Sequence, residues 1–391
     1  MAKGERGDGG GSGAGETFLT LRPEGEDVRA FYRRVAAALV AAGAPVVLER
    51  CHAAPGALRE VEAARRAAYG AAGIEAAGAL ALVGQRSCSG HEVAGVQLWL
   101  APAGAEVAPL GCDGEVVGRA CARGDARVVW LPEVGPRDPG LTRQEQARSM
   151  LHEAGRLLGA VGSSWRRVLR TWIYLPELLA WYPAFNAVRR EAFREAGLLA
   201  PADGGGLPAS TGIEGTLGAS VGASVGGDLG GSARGRAACS LSVLALADDG
   251  LPLASARAVR SPVQCEALAY GAAFARAVEL GGAGASLLFV SGTASIGPGG
   301  ESLHPGDLGA QARHTLAAVA ELLAAAGHAP GDAVHAVAYL KDGADAPAFR
   351  ALAGRAGFDP SVLVETEADV CRAELLIELE VTSVRRATSA P

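Results

Sequence analysis

Near the C-terminus apolar residues recur at helical spacing: Leu316, Val319, Leu323 and Ala326 stand at i, i+3, i+7 and i+10, one stripe of an amphipathic helix. Gly327 follows, where a left-handed cap would end that helix. The next segment, Ala333 to Leu340, is short and mostly apolar, as expected of a strand buried beneath the helix. A second helix is predicted over Ala346 to Ala356, and then a strand over Leu375 to Val381. In that last strand Leu375, Ile377 and Leu379 share one face, so Glu378 lies on the other with Leu376 and Glu380.

The same order occurs upstream. Gln146-Ala147-Arg148 and Gln311-Ala312-Arg313 each open a helical stretch; 16 positions on stand Gly162 and Gly327, and 28 positions on stand Tyr174 and Tyr339. Chance rarely keeps two such offsets together, so these are two copies of one unit. The earlier copy has its second helix around Ala184 to Ala196 and its closing strand at Leu241 to Leu246. A weaker third copy is read at the front: helix Phe31 to Gly43, strand Val46 to Glu49, helix Ala57 to Ala68, then strands Ala79 to Val83 and Val93 to Leu100. Its link from Gly43 to the strand is several residues shorter. Residues 1–15 read as a disordered tail, 16–102 as the degenerate first module, 106–247 as the middle module and 260–385 as the last. Within the middle module, 203–236 is a glycine- and serine-rich insertion with too little apolar surface to order itself, expected as a flexible loop.

The 391 residues suit two to three domains. A net charge of -6 without a basic block argues against nucleic acid as a partner. Seven cysteines, an odd number with no C-x-x-C pair, argue against a disulfide framework and a zinc ribbon, and a reducing cytoplasmic setting is the simplest expectation. No signal-peptide pattern opens the chain and no apolar run approaches the roughly 18 residues of a membrane span. The seven histidines show no metal-ligating spacing, and Gly297-Pro298-Gly299-Gly300 lacks the Lys of a phosphate loop. The expected enzyme needs neither metal nor cofactor.

The unit, with its Q-A-R opening, L-x-x-x-G ending and final Ile377-Glu378-Leu379-Glu380, resembles the RidA/YjgF family of small α/β proteins. The resemblance implies repeated chorismate-mutase-like modules with helices packed on one face of a mixed sheet. Members of that family are trimers with reactive clefts between subunits, so three modules in one chain would form a covalent pseudo-trimer, monomeric or further assembled. A narrower resemblance is to the chorismatases, which remove pyruvate from chorismate. It rests on Val370-Cys371-Arg372-Ala373-Glu374-Leu375-Leu376-Ile377-Glu378, on Phe289-Val290-Ser291-Gly292-Thr293-Ala294-Ser295-Ile296, on Leu207 to Ile213, on Arg170-Thr171-Trp172 and on Tyr270-Gly271 with Phe274-Ala275-Arg276. The chain departs from the usual Y-G-P-R and R-T-W-N-Y segments, reading Tyr270-Gly271-Ala272-Ala273 and Arg170-Thr171-Trp172-Ile173-Tyr174.

Glu378 is the leading catalytic candidate, because a carboxyl group in an apolar cleft keeps its proton to higher pH and can act as a general acid near neutrality. The corresponding strand of the middle module, Ser240 to Leu246, has no carboxylate. The alternative is a carboxylate paired with a surface cation. Arg372 offers a planar fork to a substrate carboxylate, or else a surface salt bridge. Ser291, Gly292 and Thr293 end an apolar strand, where amides and hydroxyls would receive an anion. Tyr270 and Arg276 complete the candidate binding set, with a buried core tyrosine as the alternative for Tyr270. Cys371 is either catalytic or a packing cysteine; within the chorismatase resemblance, Cys371 with Gly292 implies the type that makes 3-hydroxybenzoate. The leading expectation is therefore release of pyruvate from chorismate. The alternatives are hydrolysis of imines or enamines, and a silent protein that binds a small carboxylate.

Overall fold

The computed structural model describes residues 15–199, 206–218, 237–248 and 256–386. Three mixed sheets carry two helices each. The first is built from β1 (Thr17–Leu21), α1 (Val28–Ala42), β2 (Val46–Ala53), α2 (Leu58–Ala72), β3 (Leu80–Gly84) and β5 (Val93–Leu100), with β4 (Arg86–Ser87) between the last two leaving to join the edge of the third sheet. The second uses β6 (Val107–Cys112), β7 (Glu115–Arg123), β8 (Ala126–Val134), α3 (Arg143–Ala160), β9 (Val168–Tyr174), α4 (Leu178–Glu195), β10 (Ala209–Ile213) and β12 (Ser240–Leu246), with β11 (Thr216–Leu217) crossing to the edge of the first sheet. The third uses β13 (Ala256–Val259), β14 (Ala277–Leu280), β15 (Ala285–Ala294), α5 (Leu308–Ala325), β16 (Ala333–Leu340), α6 (Ala346–Arg355), β17 (Leu363–Glu367) and β18 (Ile377–Arg386).

One four-stranded core recurs in all three: β1-β5-β2-β3, β8-β12-β9-β10 and β15-β18-β16-β17. Its last two strands are parallel and its other pairs antiparallel, joined across a helix as parallel neighbours must be. We propose a division of the chain into three modules along these sheets. The helices begin and end where local chemistry dictates. Asp27, Thr142 and Asp307 each accept a backbone N–H of the first helical turn, worth about 1 kcal/mol apiece, and Thr142 with Glu145 forms a capping box. Gly43 ends α1 at φ 60°, and Gly327 follows α5 at φ 75°, the left-handed region where glycine has no Cβ to clash.

Each sheet buries one face under its own helices. The opposite faces of all three meet in a shared core that includes Val47, Trp99, Trp130, Trp172, Tyr174, Phe289, Val337 and Tyr339. The strands are therefore buried on both sides, which explains their nearly continuous apolar sequences.

Two elements depart from the sequence expectation. The glycine-rich insertion is not wholly a loop: residues 206–218 are described, β10 pairs in parallel with β9, and β11 crosses to pair with β3 of the first sheet. Its hydroxyl side chains supply what apolar area does not, for Ser210 and Thr211 are buried and hydrogen-bonded to neighbouring strands. The remainder of 203–236 and residues 1–14 lie outside the described residues. Likewise α4 begins at Leu178, ahead of the expected Ala184, and carries Pro183 within it.

Candidate active site

Strand β18 places Ile377, Leu379 and Val381 against α5 and α6, and turns Glu378 and Glu380 to the inner side, both 4% exposed. Register fixes the equivalent positions. Glu378 stands opposite Tyr339, Ser240 opposite Tyr174 and Gly95 opposite His52. A carboxylate thus occupies one of three corresponding places.

Around Glu378 lies a cavity of about 410 Å³ between the middle and last modules, within the roughly 300–1,000 Å³ usual for small-molecule sites. The last module supplies Glu378, Gly292, Ala294, Ile296, Tyr270, Gly271, Phe274, Arg276, Cys371 and Arg372. The middle module supplies Tyr182, Pro183, Asn186 and Arg190 from α4, and Ser210 and Gly212 from β10. Sequence reasoning missed this second wall. Its signal was the polar spacing 182, 186, 190, one face of a helix, which in sequence looks like any solvated stripe.

Strand β15 bulges beside Glu378, its register with β18 shifting between Val290 and Thr293. At the bulge, a Cβ on Gly292 would fall 1.9 Å from a Glu378 carboxyl oxygen. Only glycine leaves that carboxyl its place. Of the expected anion-receiving set, Gly292 lines the cavity, whereas Ser291 and Thr293 do not and turn their hydroxyls to backbone partners. Both are fully buried: the Ser291 hydroxyl donates to the Ala275 carbonyl at 2.6 Å and accepts from the Ser210 amide at 2.8 Å, and the Thr293 hydroxyl donates to the Ser291 carbonyl. The Gly292 amide donates to the Thr211 hydroxyl at 3.1 Å. These groups join β10 to β15 and so hold the two walls together.

Burial, reinforced by the charge of Glu380, pushes the Glu378 carboxyl up to about 8, with Arg170 and Arg276 opposing. Its neutral form is thereby favoured well above the ordinary carboxyl range. Glu380 is buried too, but Arg50, Arg170 and the Thr211 hydroxyl hold it down to about 2. Two carboxyls on one strand face are thereby assigned opposite states, the arrangement acid–base chemistry requires.

Arg276 is 2% exposed. Its guanidinium donates to the Cys265 carbonyl and lies between the rings of Tyr270 and Phe274, 5.4 and 5.6 Å from their centroids. Arg372 covers the Tyr270 ring at 5.4 Å and donates to Ser302. It is half-buried and keeps donors toward the cavity, a guanidinium having five N–H groups. Tyr270 is thus an aromatic spacer between two cations. Burial raises its hydroxyl to about 12, and raises the Cys371 thiol to about 12, with Glu378 adding to the second. Cys371 is a neutral thiol beside the acid, not a thiolate nucleophile.

Among the described residues no three His, Cys, Asp or Glu side chains converge as a metal site would, no helix is long and apolar enough to cross a membrane, and all seven cysteines are free.

Residues 264–384 match a family model described as Endoribonuclease L-PSP. No curated protein matches the chain. Among solved structures, a chorismatase aligns with 96% of this chain and 100% of its own at 18% identity and a TM-score of 0.60. The YjgF gene product from E. coli aligns with 33% of this chain and 99% of its own at 27% identity and a TM-score of 0.28. E. coli TdcF with bound serine aligns with 33% and 98% at 23% identity and a TM-score of 0.28.

Proposed function

On the premise that the chain has the fold of a chorismatase and carries a RidA/YjgF-type module over residues 264–384, we propose that it releases pyruvate from chorismate, with Glu378 as general acid. The observation that carries this reading is the buried Glu378 carboxyl, set in a cavity with arginines at its walls. An enol ether reacts by taking a proton on its methylene carbon. Glu378 gives that proton, the oxocarbenium forms, and the ring C–O bond breaks with its electron pair completing the pyruvate carbonyl. Arg372 faces the cavity with donors suited to a substrate carboxylate.

The product we propose is 3-hydroxybenzoate. The neighbouring ring hydroxyl oxygen bonds to the carbon that the ether oxygen leaves and parts from its own; loss of the proton on the first carbon then makes the ring aromatic and restores Glu378. The atoms of chorismate divide between pyruvate and hydroxybenzoate with nothing added, so no cofactor is needed. Gly292 and Cys371 are the residues whose pattern suggests this isomer. The neutral thiol lies where it can contact the ring without competing as a nucleophile.

The test is incubation of the purified protein with chorismate, with pyruvate followed by a coupled assay and aromatic products by chromatography. Equimolar pyruvate and 3-hydroxybenzoate, lost in Glu378→Gln, are expected. Absence of pyruvate at high enzyme concentration would defeat the reading and favour imine or enamine hydrolysis, in which the same carboxyl would position water. Tight carboxylate binding without any turnover would instead mark a silent binding protein.

A further inference from the structure

Glu380 has no place in the cavity, yet it is the most elaborately held side chain near it. Its two carboxylate oxygens receive four donors from two other modules. Oε1 accepts from Arg50 of the first module at 2.7 Å and from the Trp172 indole at 3.1 Å; Oε2 accepts from Arg170 at 2.8 Å and from the Thr211 hydroxyl at 2.5 Å. Both arginines also lie over the Trp172 ring. Burying three charged groups carries a heavy desolvation cost, and apolar residues of similar volume commonly serve stability as well or better.

The arrangement is directional. Glu378 and Glu380 point the same way along one strand, about 7 Å apart by strand geometry. Thr211, while donating to Glu380, accepts from the Gly292 amide, and Gly292 is the backbone against which the Glu378 carboxyl lies. The corresponding positions in the other modules are Gln97 and Ser242, both neutral. The charge is present only beside the acid.

We propose that Glu380 is a positioning residue for Glu378: its carboxylate, fixed by cations from the first and middle modules, sets a negative charge beside the acid on the same strand face and, through Thr211, holds the Gly292 backbone against it. The first module, none of whose described residues lines the cavity, thereby enters the chemistry through Arg50. The inference rests on the reading of Glu378 as the acid. The other groups facing Glu378 do not supply this field. Arg170 and Arg276 favour its ionised form, Arg190 and Arg372 in the same cavity are cations and oppose it too, and Tyr182, Tyr270, Cys371 and Tyr339 are neutral near pH 8 because burial raises each of them.

The direct test is an infrared pH titration of the full chain, following the protonated-carboxyl stretch assigned to Glu378 by its absence in Glu378→Gln. Wild type is expected to lose that band near pH 8. In Glu380→Gln the midpoint is expected to fall by on the order of 1–2 pH units, from Coulomb's law at about 7 Å in an effective dielectric of about 20. Should that variant fail to fold because Arg50 is left unpaired, Arg50→Met/Glu380→Gln removes cation and partner together, and a smaller fall in the same direction is expected, because loss of the more distant Arg50 charge partly offsets loss of the carboxylate. A midpoint unmoved in the folded variant would overturn the proposal. A wild-type protein with no protonated Glu378 at pH 6 would sink the acid reading itself, and this inference with it.

Discussion

Glu378 and Glu380 are chemically alike and two residues apart, and their surroundings divide them. Glu380 is ionised because four donors converge on it; Glu378 is protonated because burial and its neighbour both oppose ionisation. A carboxyl raised in the folded state holds a proton that the unfolded chain has released, so its contribution favours the fold below the ordinary carboxyl range and is lost as pH rises toward 8. Glu378→Gln removes that dependence. Its melting temperature is therefore expected to exceed that of wild type by an amount that grows between pH 5 and pH 8, measurable by calorimetry at several pH values; a gain that is flat or shrinks with pH would contradict the assignment. Glu378 was legible in the sequence because strand alternation placed it opposite three apolar residues. Arg170, Arg50 and Thr211 were not legible as its setting, since they belong to other modules and come together only through packing.

At the scale of elements, the site is a bulged strand facing a helix from another sheet. The bulge in β15 brings Gly292 close to the acid, and the β10 segment locks onto it through Ser210 and Thr211. A methyl group at position 292 would have to displace the carboxyl by an ångström or more. Gly292→Ala is expected to lower kcat on the order of 100-fold, as misplacement on that scale does, and to shift the aromatic products away from 3-hydroxybenzoate; an unchanged rate and product by the chromatographic assay would show that the close approach has no catalytic role. The helices and most strands could be placed from periodicity and from the glycines that end them. The β10 segment could not, because its order comes from hydroxyl hydrogen bonds to partners distant in sequence and hardly from apolar area. The polar face of α4 was visible as a stripe, but what it faces is decided by how two modules dock.

Across the whole molecule, three similar sheets enclose one core and leave unequal junctions. Between the first and middle modules part of the contact is tight, for Trp130 donates to the Ala79 carbonyl, Arg119 pairs with Glu75, and a Cβ on Gly78 would meet the Gly118 carbonyl at 2.5 Å; elsewhere a cleft lined by Gln85, Arg86, Arg143 and Glu214 opens, but the place of Glu378 is taken by Ser240. Between the first and last modules lies a cleft lined by Arg22, Arg34 and Arg350, but the place of Glu378 is taken by Gly95. Among the described residues, the junction of the middle and last modules alone sets a carboxyl at the matched strand position, beside a cavity with cationic walls. Repetition thus supplies a scaffold with several candidate clefts, and single substitutions at matched positions equip one of them. The central claim is that a protonated Glu378 drives pyruvate release there. It is tested most directly by the pH dependence of kcat/KM for pyruvate release from chorismate, in wild type and in Glu378→Gln. The account predicts that wild-type activity falls as pH rises through about 8, and that the variant loses at least about 100-fold at pH 7 while still binding substrate. Pyruvate release by the variant at the wild-type rate would contradict it.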